Sequence, residues 1–144
     1  MTSIAGDVSN LDDLDRVFGQ IKRKKSKLDI VFANAGGANL AVLDAITEEH
    51  YDSLFNSNVK GVLFTVQKAL PLLPNGAIIL NASIAASTAP LPGWSVYNAT
   101  KAAVRSFART WTTDLKDRRI RVNAVSLGYT DTPRGMPQKL ARQA

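Results

Sequence analysis

Tyr97 and Lys101 stand four residues apart in the stretch that runs from Ser83 to Lys101. On a helix, which the Ala-rich, Pro-free sequence after Gly93 predicts, both side chains project from one face and bring the ammonium near the phenol. A phenol with a pKa of about 10 is a poor proton donor or acceptor at neutral pH, but a neighbouring positive charge favours the phenolate and draws the pKa toward the working range. The pair can therefore do acid/base work. Ser83 opens the same stretch. Tyr and Lys at this spacing recur by chance, so the surrounding elements must carry the claim.

Those elements alternate. Residues 1–8 are short and apolar up to Gly6-Asp7-Val8, and Ser9-Asn10-Leu11-Asp12 gives a capping-box-like helix start. Leu11, Leu14, Phe18 and Ile21 recur at three- and four-residue intervals, predicting a helix with one buried face to about Lys25. Leu28 to Ala33 is a β-branched and aromatic run ending in Asn34-Ala35-Gly36-Gly37, a strand entering a glycine turn. A helix is predicted from Thr47 to Leu73, closed by Pro71, Pro74, Asn75 and Gly76. Asn58 lies beside its apolar stripe, where a polar amide is either solvated, locally bonded or functional. Ala77 to Ala82 reads as a second buried strand that delivers Ser83 at its carboxyl end. A helix from Ser95 to Lys116 follows, then a strand from Ile120 to Val125 and an exit through Gly128-Tyr129-Thr130-Asp131-Thr132-Pro133. Residues 134–144 read as a frayed tail of the one partial domain that spans residues 1–144. Strands alternating with helices imply parallel pairing in a layered α/β domain, whose ligands bind outside the carboxyl ends of the strands.

Composition narrows the classes. With 144 residues, 45% hydrophobic and 21% charged, the chain can bury one sizeable core. Neither a membrane span of roughly 18 apolar residues nor a signal core is visible, which gives a cytoplasmic expectation with no membrane partner. The absence of Cys removes disulfides, thiolate nucleophiles and Cys-ligated zinc, and a single His leaves no metal site. The formal net charge of +6 gathers at Lys22-Arg23-Lys24-Lys25-Ser26-Lys27 and at Arg118, Arg119 and Arg121. The first group complements the dipole of a helix that starts with Asp12, Asp13 and Asp15. No aromatic interleaving or reading helix accompanies the charge, so no nucleic-acid partner is expected.

Taken together, Asp7-Val8, Asn34-Ala35-Gly36, Asn58-Val59-Lys60-Gly61, Ser83, the Tyr97 and Lys101 pair, Gly128 and Asp131-Thr132-Pro133 resemble the short-chain dehydrogenase/reductase family in order and spacing. The resemblance runs from Gly6 to about Pro133. It implies a Rossmann-like parallel sheet with flanking helices and an oxidoreductase using NAD or NADP on a small alcohol or carbonyl compound. It makes Tyr97 the general acid or base and Lys101 the cation that lowers its pKa and holds the nicotinamide ribose. Ser83 becomes the donor to the substrate oxygen, and Asn58 the holder of a water linking Lys101 to solvent. Cofactor contacts fall to Asp7 and Val8, to Asn34, Ala35 and Gly36 on the adenosine side, and to Gly128 and Thr132, with Thr132 at the carboxamide. Plainer roles stay open: Ser83 could end a strand, and Asp7 and Thr132 could cap helices.

The chain also departs from the family pattern. The Thr-Gly turn with two further spaced glycines, which cradles a pyrophosphate at a helix N-terminus, has no counterpart here. Leu127 stands where Pro is usual, and Ala33 where a second Asn is common. The sheet is expected to lack its first two strands and its last. The residues around Ile4 then have no strand to join, and Leu28 to Ala33 becomes an exposed apolar edge. Poor solubility or marginal stability and weak NAD(P) binding are expected of this chain alone. A homo-oligomer through the helices 47–73 and 95–116 is the family's expectation. The competing reading is a catalytically inactive member acting only as an assembly or interaction module. A serine hydrolase is distant, because Ser83 is in no Gly-x-Ser-x-Gly turn and His50 lies far away in sequence.

Overall fold

A computed structural model describes residues 2–87 and 91–128. Helix α1 (Leu11–Lys25) is capped by Asn10, whose side chain accepts from the amides of Asp12 and Asp13. Asp7 stands outside this cap, its carboxylate accepting from the Ser9 amide and hydroxyl at 2.8 Å each. Acids in the first turn and Lys22, Arg23, Lys24 and Lys25 in the last match the helix dipole. Leu14 is buried, and Phe18 packs against the core. Residues 2–7 adopt no regular structure.

Three strands, β1 (Ile30–Ala33), β2 (Gly76–Ser83) and β3 (Ile120–Leu127), form one parallel sheet in the order β1-β2-β3. Phe32 sits opposite Ile79, and Ser83 opposite Leu127. Helices occupy the crossovers, as parallel pairing demands. The α/β architecture with a parallel sheet thus matches the expectation, with β1 shorter than the run Leu28 to Ala33, and β2 and β3 each slightly longer than read.

The segment expected as one helix from Thr47 to Leu73 is instead three pieces. Thr47 caps α2 (Glu48–Phe55), a π turn occupies Asn56–Lys60, and α3 (Gly61–Ala69) ends in a tight turn at Leu70–Leu72. Within the π turn the Gly61 amide reaches back five residues to the Asn56 carbonyl. That extra residue rotates Asn58 off the ordinary helical stripe and into the core, where it is 1% exposed. Helix α4 (Ser95–Asp114) crosses from β2 to β3.

The core lies on one face of the sheet. Val31, Ala33, Ile78, Leu80, Ile120 and Val122 meet Val62, Val66 and Ala69 of α3 and Val104 and Ala108 of α4. Several residues at the alternate positions lack such cover: Ile30 is 62% exposed, Phe32 56% and Val125 44%. Parallel sheets are ordinarily buried on both faces, so this bare apolar face is an aggregation liability.

Candidate active site

Parallel pairing brings the carboxyl ends of all three strands to one edge. At the end of β2, Ser83 accepts a hydrogen bond from the Ala85 amide at 3.2 Å and shares another with the Tyr97 hydroxyl. Tyr97 lies in the first turn of α4, its ring edge-on to Trp94 with centroids 5.3 Å apart. One turn later the Lys101 ammonium is 5.7 Å from the centre of the Tyr97 ring. Ser83, Tyr97 and Lys101 therefore lie together at this edge.

Electrostatics at the pair follow burial. Burial pushes the Tyr97 phenol above its ordinary value, and the bond with Ser83 pulls it back in part. Burial also draws the Lys101 ammonium down. The lysine is 7% exposed, and it donates to the Asn81 carbonyl at 2.8 Å. The expected lowering of the Tyr97 phenol by Lys101 is not what this arrangement produces: burial and the Ser83 bond set its value, and the balance is a rise.

Asn34 follows β1 and reaches the same group. Its side-chain oxygen accepts from the Asn81 amide at 2.7 Å, and the Asn81 carbonyl in turn holds Lys101. Asn81 was not singled out by sequence. A polar residue inside an otherwise apolar strand, two positions before Ser83, was the available signal, since such a group needs a partner.

Asn58 is the second anchor. Its amide nitrogen donates to the Gly37 carbonyl at 2.9 Å and to the Thr100 hydroxyl at 3.1 Å, and its oxygen accepts from the Gly37 amide at 2.9 Å. Gly36 is glycine for the same reason: a Cβ there would lie 2.7 Å from the Asn58 oxygen. Thr100, fully buried, completes the chain by donating to the Tyr97 carbonyl at 2.7 Å. Sequence reasoning missed Thr100 as well.

Val8, Asn34 and Ala35 line a cleft of about 120 Å³ together with Ala33, Gly61 and Thr65. Val8 fits there because Gly61 has no side chain; a Cβ would fall 2.8 Å from a Val8 methyl. Asp7 and Gly36 are not among the lining residues, and hydrogen bonds from the Ser9 amide and hydroxyl hold the Asp7 carboxyl below its ordinary range. Gly128 is the last described residue, beyond β3, and Thr132 and residues 134–144 lie outside the described residues. Among the described residues no group of acids and His could hold a metal ion, and no helix is long and apolar enough to cross a membrane.

The chain is 41% identical over 145 residues to an oxidoreductase of Sarocladium schorii, covering 99% of this chain and 55% of that protein. It is 35% identical over 140 residues to the 3-oxoacyl-(acyl-carrier-protein) reductase FabG of Thermotoga maritima, covering 95% of this chain and 56% of the relative. Among solved structures, a short-chain dehydrogenase from Burkholderia cenocepacia in complex with NADP superposes with a TM-score of 0.88 at 32% identity, over 92% of this chain and 54% of that one. The chain thus spans about half the length of the relatives it matches. A family model described as short chain dehydrogenase matches residues 1–143, and with that match the chain belongs to the short-chain dehydrogenase family.

Proposed function

We propose that this chain carries the proton-transfer half of an NAD(P)-dependent oxidoreductase that interconverts an alcohol and a ketone or aldehyde. The convergence of Ser83, Tyr97 and the buried Lys101 at the carboxyl edge of the sheet carries the reading. The NADP in the Burkholderia cenocepacia structure and the carbonyl substrate in the name of the Thermotoga maritima relative support it.

A bound nicotinamide supplies or accepts the hydride. Tyr97 donates its hydroxyl proton to the carbonyl oxygen in reduction and takes it back in oxidation. Ser83, already bonded to that hydroxyl, donates to the same oxygen as charge grows on it. Lys101 holds the ribose hydroxyls with the ammonium hydrogens that the Asn81 carbonyl leaves over. Its positive charge favours the phenolate as the proton leaves Tyr97. Asn58 has both amide hydrogens engaged, so it joins a water path only as an acceptor. The cleft by Val8, Asn34 and Ala35 suits the adenosine side; Gly36, Asp7, Gly128 and Thr132 complete the cofactor contacts of this reading.

The test joins the chain at Met1 to a strand and glycine turn of the family pattern and follows nicotinamide absorbance with a panel of ketones and aldehydes. Turnover that Tyr97→Phe abolishes supports the reading; equal rates for both chains refute the assignment of Tyr97.

A second reading rests on a groove of about 290 Å³ beside α3 and α4, lined by Leu63, Val66, Leu70, Trp111 and Leu115 together with Gln67 and Asp114. Its apolar walls suit packing against a second copy of this chain through the helical segments 47–73 and 95–116. Light scattering reads this directly: a dimer that Trp111→Lys dissociates supports it, and a monomer counts against it.

A further inference from the structure

We propose that Thr100 is a positioning residue for Tyr97, fixing the first turn of α4 to the buried amide of Asn58 and through it to the turn at Gly37. The proposal rests on the acid/base reading of Tyr97 for its functional meaning, and on geometry for its substance.

Trp94 occupies the cap position of α4 and gives its first turn no side-chain hydrogen bond. An uncapped helix start frays, and Tyr97 sits within it. The Thr100 hydroxyl reaches back to the Tyr97 carbonyl at 2.7 Å, within the same turn. A back-bond of this kind alone would only tilt a carbonyl. Here the hydroxyl oxygen also accepts from the Asn58 amide at 3.1 Å, and Asn58 is held by both backbone groups of Gly37. The two side chains at the middle of the path are buried, with Asn58 1% and Thr100 0% exposed. In that setting a hydroxyl that donates to one group and accepts from another has one orientation, because any other leaves a buried polar group unpaired. Thr100 thus ties the tyrosine backbone to the π turn and to the turn after β1.

Val is nearly isosteric with Thr, so Thr100→Val removes the two bonds and keeps the shape. Thr100→Ser keeps both bonds, and Thr100→Cys weakens them. Tyrosine labelled with ¹³C at Cζ reports each of the three tyrosines, and Tyr97→Phe assigns the signal. In Thr100→Val the Tyr97 titration is expected to move toward that of a free phenol, with Thr100→Cys between and Thr100→Ser at the wild-type position. Ile120→Val, at the far end of β3, destabilises the core without touching the path and should leave the titration in place. A folded Thr100→Val chain with the wild-type titration overturns the proposal, and so does an equal shift in Ile120→Val. If Thr100→Val does not fold, a shifted Cys variant beside an unshifted Ser variant supports the proposal, and two unshifted ones overturn it. The titration needs no turnover, so a wild-type chain that transfers no hydride counts against the oxidoreductase reading alone. Where hydride transfer is observed, Thr100→Val should lower kcat about tenfold or more with KM unchanged, as small misplacement of a reacting group does.

Discussion

Asn58 and Gly37 are joined by two hydrogen bonds of 2.9 Å, the carboxamide of one closing on both the N–H and the C=O of the other. Asn58→Leu takes the buried Thr100 hydroxyl's donor away and frees both groups of the exposed Gly37 to water, and should cost about 1–2 kcal/mol of stability. Gly36→Ala drives a methyl into the same carboxamide and should cost about 1–3 kcal/mol. Urea titration checks both; an Asn58→Leu chain as stable as wild type would show that the turn is held by other contacts.

The sign of the Tyr97 shift fixes a pH window. Its folded value is raised above the ordinary 10.0 by burial. Below pH 10.0 the phenol is protonated in both folded and unfolded chains and its contribution is fully present. As pH climbs from there through the higher folded value, the unfolded chain ionises first and stability is lost. Tyr97→Phe should flatten this alkaline loss when unfolding is followed against pH, and an unchanged slope would contradict the burial argument.

Lys101 acts in the opposite sense. Burial lowers its folded value below the ordinary 10.5, so its contribution is present above 10.5 and is lost as pH falls through the folded value. At neutral pH the protein therefore holds a buried ammonium at a cost. Lys101→Met should gain about 1 kcal/mol at neutral pH, even though the Asn81 carbonyl loses its donor. A loss of stability would mean that the bond to Asn81 outweighs desolvation.

The bare sheet face gives a prediction about solubility. Phe32 is 56% exposed on a strand whose alternate residues are core. Phe32→Lys should leave the unfolding midpoint within about 0.5 kcal/mol of wild type, as surface changes do, while raising the concentration at which the chain aggregates. Turbidity against concentration reads the outcome, and unaltered aggregation would point to another surface.

Local pattern made much of this legible. The three- and four-residue spacing around Leu14, the strands ending at Ala33 and Ser83, and the order of Ser83, Tyr97 and Lys101 are all sequence-local signals, and each has its element in the fold. What was not legible depends on contacts distant along the chain. Asn58 read as an awkward mid-helix residue, and only the extra residue of the π turn swings it toward Gly37, 21 positions away in sequence. Asn81 and Thr100 gave weaker signals, because a lone polar residue in a strand or helix does not say which partner it meets. The pKa of Tyr97 was read from its charged neighbour, whereas burial, which spacing does not encode, is the first influence on it and the Ser83 bond the second.

The central claim is that Tyr97 moves the proton when a nicotinamide moves the hydride. Its most direct test is the single-turnover rate of carbonyl reduction by the chain joined to a family glycine turn, compared between wild type and Tyr97→Phe at saturating cofactor. The account predicts a fall of about 10²–10⁴-fold with cofactor affinity unchanged. Equal rates in the two proteins would contradict it.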